Sequence, residues 1–205
     1  MKKIIKQIIP KKTRLALITM MGVIQWVIKK CPAPPPHLIK QLVVKKYARK
    51  YHLDFFIETG TYVGAMVSAV KKTFKKIISI EFDKNLAEMA KNNFRQDKNI
   101  TILEGDSGKL MPEVLKSLGE PALFWLDGHY VGESTGKSDL NTPIMKELET
   151  IFNHPIKGHV VLIDDARLFD GKNDYPDIFY LRRFITEKKP MATFQVKNDI
   201  IRIIT

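Results

Sequence analysis

The chain has 205 residues, 44% apolar and 27% charged, a size and balance that fit one globular domain and argue against global disorder. Its single cysteine, Cys31, rules out an intramolecular disulfide, argues against a cysteine-built zinc site and fits a reducing compartment. The net charge of +12 is one-sided: residues 1–50 hold 13 of the 34 Lys and Arg and no Asp or Glu, and the rest is close to neutral.

A segment so basic is either a solvated face or one drawn to an anionic surface, be it phospholipid, nucleic acid or acidic protein. Within it, Leu15 to Ile28 reads LALITMMGVIQWVI between Arg14 and Lys29-Lys30. This run is shorter than the roughly 20 residues of a spanning helix. No small-x-small cleavage site follows it, as a signal peptide requires. A helix docked on the domain or lying at a membrane interface is expected. Cys31-Pro-Ala-Pro-Pro-Pro36 breaks the helix and is expected to divide an N-terminal arm, residues 1–36, from a domain, residues 37–205. The expected location is cytoplasmic, with peripheral membrane association through residues 1–30.

From residue 37 the pattern alternates. His37–Tyr51 reads as an amphipathic helix and Leu53–Thr59 as a buried strand, with a glycine turn and a helix near Val63–Thr73. Lys76–Glu81, Asn99–Glu104, Pro121–Asp127 and His159–Asp165 read as further strands. Between them Asp83–Phe94, Gly108–Leu118 and Thr142–Phe152 read as helices, and Asp177–Lys188 as a last one. Met191–Val196 and Ile200–Ile204 form a closing hairpin through Lys197-Asn198-Asp199. Short apolar strands separated by helices predict an α/β fold, a Rossmann-like doubly wound sheet covered by helices on both faces.

Ligands of such a sheet bind outside the carboxyl ends of the strands. The first strand ends in Glu58-Thr59-Gly60-Thr61-Tyr62-Val63-Gly64, where Gly60 and Gly64 permit a tight turn and close approach to a ligand. G-x-G-x-x-G and G-x-x-x-x-G-K-S/T are both absent, which argues against a nicotinamide dinucleotide and a phosphate loop. Glu81 ends the second strand about twenty residues on, where a carboxylate can accept both ribose hydroxyls. Asp106 and Ser107 follow the third, where Asp106 can accept an adenine amine or cap a helix.

The order E-x-G-x-x-x-G, Glu81, Gly105-Asp106 resembles the class I S-adenosylmethionine (SAM)-dependent methyltransferases over residues 50–205. The resemblance implies a seven-stranded sheet with an antiparallel last strand. It places Glu58 and Gly60 by the methionine part of SAM, Glu81 at the ribose and Asp106 with Ser107 at the adenine, with Thr59, Thr61, Tyr62 and Gly64 also binding the cofactor.

The fourth strand ends in Asp127-Gly128-His129-Tyr130 and the fifth in Ile163-Asp164-Asp165. On adjacent strands Asp127, Asp164 and Asp165 lie close, and three carboxylates repel unless something neutralises them. A divalent cation, Mg²⁺ first, suits such oxygen ligands and would lower the pKa of an acceptor alcohol; capping of a turn is the alternative for the Asp pair. Asp127, Gly128, Ser134, Thr135, Asp164 and Asp165 resemble the metal-dependent, macrocin-type sugar O-methyltransferases. That family's second Asp, its general base, is His129 here, which can take a proton near neutral pH or ligate metal. Its aromatic after the Asp pair is Ala166, followed by Arg167.

The expected function is O-methylation of a hydroxyl on a small-molecule or sugar acceptor, with Asp127 and His129 catalytic. The alternative is an inactive Rossmann-like binding protein docked on a membrane or acidic partner. Nucleic acid is not the expected partner: the Asn/Asp-Pro-Pro-aromatic signature is missing, and only Trp26 and Tyr47 interleave with the basic residues. Oligomeric state, including a homo-oligomer, stays open.

Overall fold

A computed structural model describes residues 11–128 and 142–205. In chain order the elements are α1 (Lys11–Ile28), α2 (His37–Lys50), β1 (Phe55–Thr59), α3 (Ala65–Val70), β2 (Lys76–Glu81), α4 (Lys84–Phe94), β3 (Ile100–Glu104), α5 (Ser107–Lys116), β4 (Ala122–Leu126), α6 (Ile144–Asn153), β5 (Val160–Ile163), a 3₁₀ turn (Ala166–Leu168), α7 (Ile178–Lys188), β6 (Thr193–Lys197) and β7 (Ile200–Ile204). They build one seven-stranded sheet in the order β3-β2-β1-β4-β5-β7-β6. Strands β1 to β5 run parallel, and β7 is antiparallel to both its neighbours. The doubly wound sheet with an antiparallel last strand is the architecture the sequence predicts.

Period two explains why the strands read as continuous apolar runs. Ile57, Phe124, Leu126, Val161, Ile163, Ile201 and Ile203 face a core closed by α5, α6 and α7. Their chain neighbours Phe56, Leu123, Trp125, Val160, Leu162 and Ile200 face the opposite core under α2, α3 and α4. Both faces are packed, so these positions are apolar, with buried polar side chains such as Glu58 and Ser79 set among them towards the site. Aspartates start the helices: the side chains of Asp83, Asp106 and Asp177 accept backbone N–H groups of Leu86, Gly108 and Phe179, satisfying donors that a first turn leaves open. Asn198 and Asp199, both left-handed, make the two-residue β6–β7 turn.

Helix α1 touches α2 and buries Trp26, whose Nε1 donates to the Pro32 carbonyl at 2.6 Å. Most of its apolar side chains, including Ile18, Met20, Met21, Val27 and Ile28, stay exposed. Among the described residues no helix is long and apolar enough to cross a membrane.

Register positions the site. Thr59 pairs with Ile80 and with Leu126, and Leu126 with Ile163. The ladder continues one residue past the strands: Gly60 N–H donates to Ile80, Asp127 N–H to Thr59, Asp164 N–H to Leu126 and Gly105 N–H to Glu81. Gly60, Glu81, Asp127 and Asp164 therefore stand in one row at the carboxyl rim. Trp125 anchors the centre of the sheet at 1% exposure, so Trp125→Ala is expected to destabilise the protein by ~3–5 kcal/mol in denaturant unfolding. A loss below ~1 kcal/mol would contradict this account of the core.

Candidate active site

The turn after β1 is built by backbone geometry. Gly60 has φ +81°, and a Cβ there would stand 2.5 Å from the Asp127 carbonyl oxygen, so no side chain fits. Tyr62 is also left-handed and leaves its ring exposed, while its N–H donates to Glu81 Oε2 at 2.7 Å. Glu81 Oε1 accepts the Asp83 N–H at 3.0 Å. Two backbone donors thus fix a carboxylate at the end of β2, and each oxygen keeps acceptor capacity.

Alternation sorts the rim into two sides. Glu58 shares a strand side with Phe56, Ser79 with Ile77, Asp127 with Trp125 and Asp164 with Leu162, so their side chains point towards α2. Ser79 donates to the buried Glu58, and Thr61 bonds Ser79 at 2.6 Å. Burial, and then repulsion from Asp127 and Glu81, push the Glu58 carboxyl well above the usual range, against the Ser79 bond. On the other side Thr59 faces α6. Its Oγ1 is buried under Gly128 and faces the Glu147 carboxyl. Glu147, from α6, is 1% exposed and accepts a short hydrogen bond from Ser107 at the start of α5. Burial pushes its pKa up to about 7 against the pull of Ser107 and Thr59. Asp106 spends Oδ1 on the α5 cap, accepting Gly108 N–H at 2.8 Å.

The fourth and fifth strand ends bring the predicted acids together. Asp127, Asp164 and Asp165 offer oxygens that all lie within 4.8 Å of one another. A cation from the chain sits among them: Lys40 of α2 donates to Asp164 Oδ2 in a short ion pair and lies 3.4 Å from Asp165 Oδ1. Arg167 Nη1 holds the same Asp165 oxygen at 2.8 Å and bridges to Asp199 in the β6–β7 turn. Burial alone would lower the Lys40 ammonium, but Asp164, then Asp165 and Asp127, hold it above its ordinary value. Burial and Asp127 push the Asp164 carboxyl up against the pull of Lys40. His37, one helical turn before Lys40, is lowered by burial and by Lys40, with Asp127 opposing. A cleft lined by Asp127, Gly128, Thr142, Asp164 and Tyr175 opens beside this cluster. Burial, with Asp165, Asp127 and Glu147, keeps the Tyr175 phenol protonated up to about 12, against a bond from Thr142.

His129, Ser134 and Thr135 lie outside the described residues. The other predicted positions gather on the rim, with Glu58, Gly60, Glu81 and the three aspartates towards α2. Sequence reading missed Lys40, His37, Glu147 and Tyr175. A helix leading into a parallel strand runs back along it, so the first turn of His37–Lys50 belongs at the carboxyl rim; the His37-x-x-Lys40 spacing was the available signal.

No protein-family model matches the chain. A 53-residue stretch is 38% identical to ribosomal RNA small subunit methyltransferase A of Caldanaerobacter subterraneus subsp. tengcongensis, covering 26% of this chain and a fifth of that protein (20%). Among solved structures, the chain is similar to the SAM complex of TomG, the tomaymycin-synthesis O-methyltransferase of Streptomyces achromogenes. The TM-score is 0.59 at 16% identity, over 91% of this chain and 87% of that one. The O-methyltransferase of Bacillus cereus in complex with SAH gives 0.60 at 15% identity, over 100% and 96%. The fold is the Rossmann-like fold of SAM-dependent methyltransferases.

Glu147 carries a pH prediction. Its pKa is about 7 in the fold against an ordinary 4.5. Between those values the folded state keeps a proton that the unfolded state has lost, so the stabilisation is full at low pH and fades as pH rises towards 7. Glu147→Gln cannot ionise and is expected to be more stable than the wild type by ~1–3 kcal/mol at about pH 8, with little difference below pH 4.5. Thermal melts across pH read it; a variant less stable at every pH contradicts it.

Proposed function

We propose that this protein is a SAM-dependent O-methyltransferase acting on a hydroxyl of a small-molecule acceptor, with a sugar as the favoured class. The observation that carries the reading is the single row of Gly60, Glu81, Asp127 and Asp164 at the carboxyl rim of a methyltransferase fold. Two solved relatives of that fold hold SAM and SAH. The sugar preference rests on the likeness of the strand-end aspartates to the macrocin-type enzymes.

SAM supplies a methyl group on a positively charged sulfur. Glu81, fixed by Tyr62 and Asp83 N–H, has capacity to accept the ribose hydroxyls. Asp106 and Ser107 stand at the next strand end, at the adenine. Gly60, Thr61, Tyr62 and Gly64 form the turn beside the methionine part, with Glu58 and Thr59 below it. The acidic rim favours a cationic donor. Transfer requires the acceptor oxygen in line with the methyl group, so the cleft beside Asp127 and Tyr175 contributes chiefly by positioning. Proton removal is assigned to His129 on sequence alone, two residues after Asp127.

The expected Mg²⁺ finds suitable oxygens at Asp127, Asp164 and Asp165 but not a vacant charge position, because Lys40 is already in contact with two of the three acids. The side chains as they stand do not fit a divalent ion, and no step is derived through one.

Two further readings concern the arm. The exposed apolar side chains of α1, within a segment rich in Lys and Arg and free of acids, support peripheral attachment to an anionic membrane. The short likeness to an rRNA methyltransferase covers too little of that protein to assign an RNA acceptor.

Isothermal titration with SAM tests the main reading. Binding is expected in the wild type, and Glu81→Ala should weaken it by ~10–100-fold, the effect of losing hydrogen bonds to a charged group. Transfer of labelled methyl from SAM to a panel of hydroxyl acceptors reads activity. A folded wild type that ignores millimolar SAM overturns the proposal and leaves the binding-protein alternative. For the arm, co-sedimentation with phosphatidylglycerol vesicles but not phosphatidylcholine vesicles is expected, weakening with salt; equal pelleting with both contradicts it.

A further inference from the structure

Lys40 and the acid cluster come from opposite ends of the chain, 124 residues apart between Lys40 and Asp164. Carboxylates gathered within 4.8 Å need a positive charge at their centre. Such sites obtain it from a divalent ion held by oxygen ligands or from a basic side chain. Here α2 packs across β4 and α3 with its first turn at the rim, and that turn delivers an ammonium that is 13% exposed. It meets Asp164 Oδ2 directly and Asp165 Oδ1 at 3.4 Å, and Arg167 holds the latter oxygen from another direction. Three carboxylates thus already face two cations. A divalent ion placed among these carboxylates would stand against two cations of like charge that already hold Asp164 Oδ2 and Asp165 Oδ1.

We propose that Lys40 is the resident cation of this site and takes the position of a divalent metal, so that the acid cluster of this protein binds none. Its role in catalysis rests on the methyltransferase reading; its occupancy of the cluster does not. With two of its three N–H groups turned to Asp164 and Asp165, the ammonium has one left to donate to an acceptor oxygen and favour its anion, where a metal would chelate two. The matching acceptor presents one reactive hydroxyl and needs no vicinal pair.

The full chain is titrated with Mn²⁺, read by loss of the free-ion electron paramagnetic resonance signal, and with SAM by calorimetry on the same preparation. The wild type is expected to leave the signal of millimolar Mn²⁺ unchanged. Lys40→Met is expected to create one Mn²⁺ site, tighter than any in the wild type by roughly a hundredfold or more once the opposing charge is gone, and Asp164→Asn added to it should abolish that site. Circular dichroism checks folding, and Lys40→Gln, which keeps a polar head, serves if Lys40→Met fails to fold. A wild-type Mn²⁺ site lost in Asp164→Asn overturns the proposal, and so does a folded Lys40 variant that binds no Mn²⁺. A wild type that binds SAM and also holds Mn²⁺ at a site lost in Asp164→Asn defeats this inference alone; one that binds neither defeats only the methyltransferase reading.

Discussion

Parallel strands that stop at the same level bring their terminal residues into one row, and in this protein much of that row is carboxylate. Glu58, Glu81, Asp127 and Asp164 stand on the α2 side of the sheet within the reach of mutual repulsion. Such a row survives only if each acid is neutralised, hydrogen-bonded or matched by positive charge. Glu81 takes backbone donors, Glu58 takes Ser79 and a raised pKa, and Asp164 and Asp165 take Lys40 and Arg167. The turn at Gly60, the placement of α2 and the Arg167 link to Asp199 all serve that requirement.

The opposite side of the rim is handled differently. Glu147 reaches the site from α6 and fastens α6 to the start of α5 through Ser107. It lies beneath Gly128, beside the Thr59 hydroxyl. A carboxyl held near neutrality in a dry layer destabilises the fold when ionised, a recurrent trait of functional rims.

Much of the fold was readable because each strand is a short apolar run between helices. Lys76–Glu81 and Ile200–Ile204 coincide with the expected strands. Differences arise where backbone conformation changes ahead of hydrophobicity: left-handed Gly64 delays α3 to Ala65, and left-handed Asp165 follows a β5 that already ends at Ile163. The strand-end acids were readable because register alone places them. Glu147 and Tyr175 were not, because a helix and a loop bring them in across the sheet by packing that no local pattern encodes, and for Lys40 only the spacing from His37 in the first turn of α2 pointed to the rim.

The separation of Lys40 from Asp164 has a consequence for the order in which the molecule assembles. The contact spans 124 residues, so it closes one of the longest loops in the chain and belongs among the late events of folding. Until β5 has joined β4, Asp164 and Asp165 stay hydrated and the lysine has only Asp127 of the cluster nearby. The ion pair therefore reports completion: the rim acquires its full charge balance only when the carboxyl-terminal strands arrive.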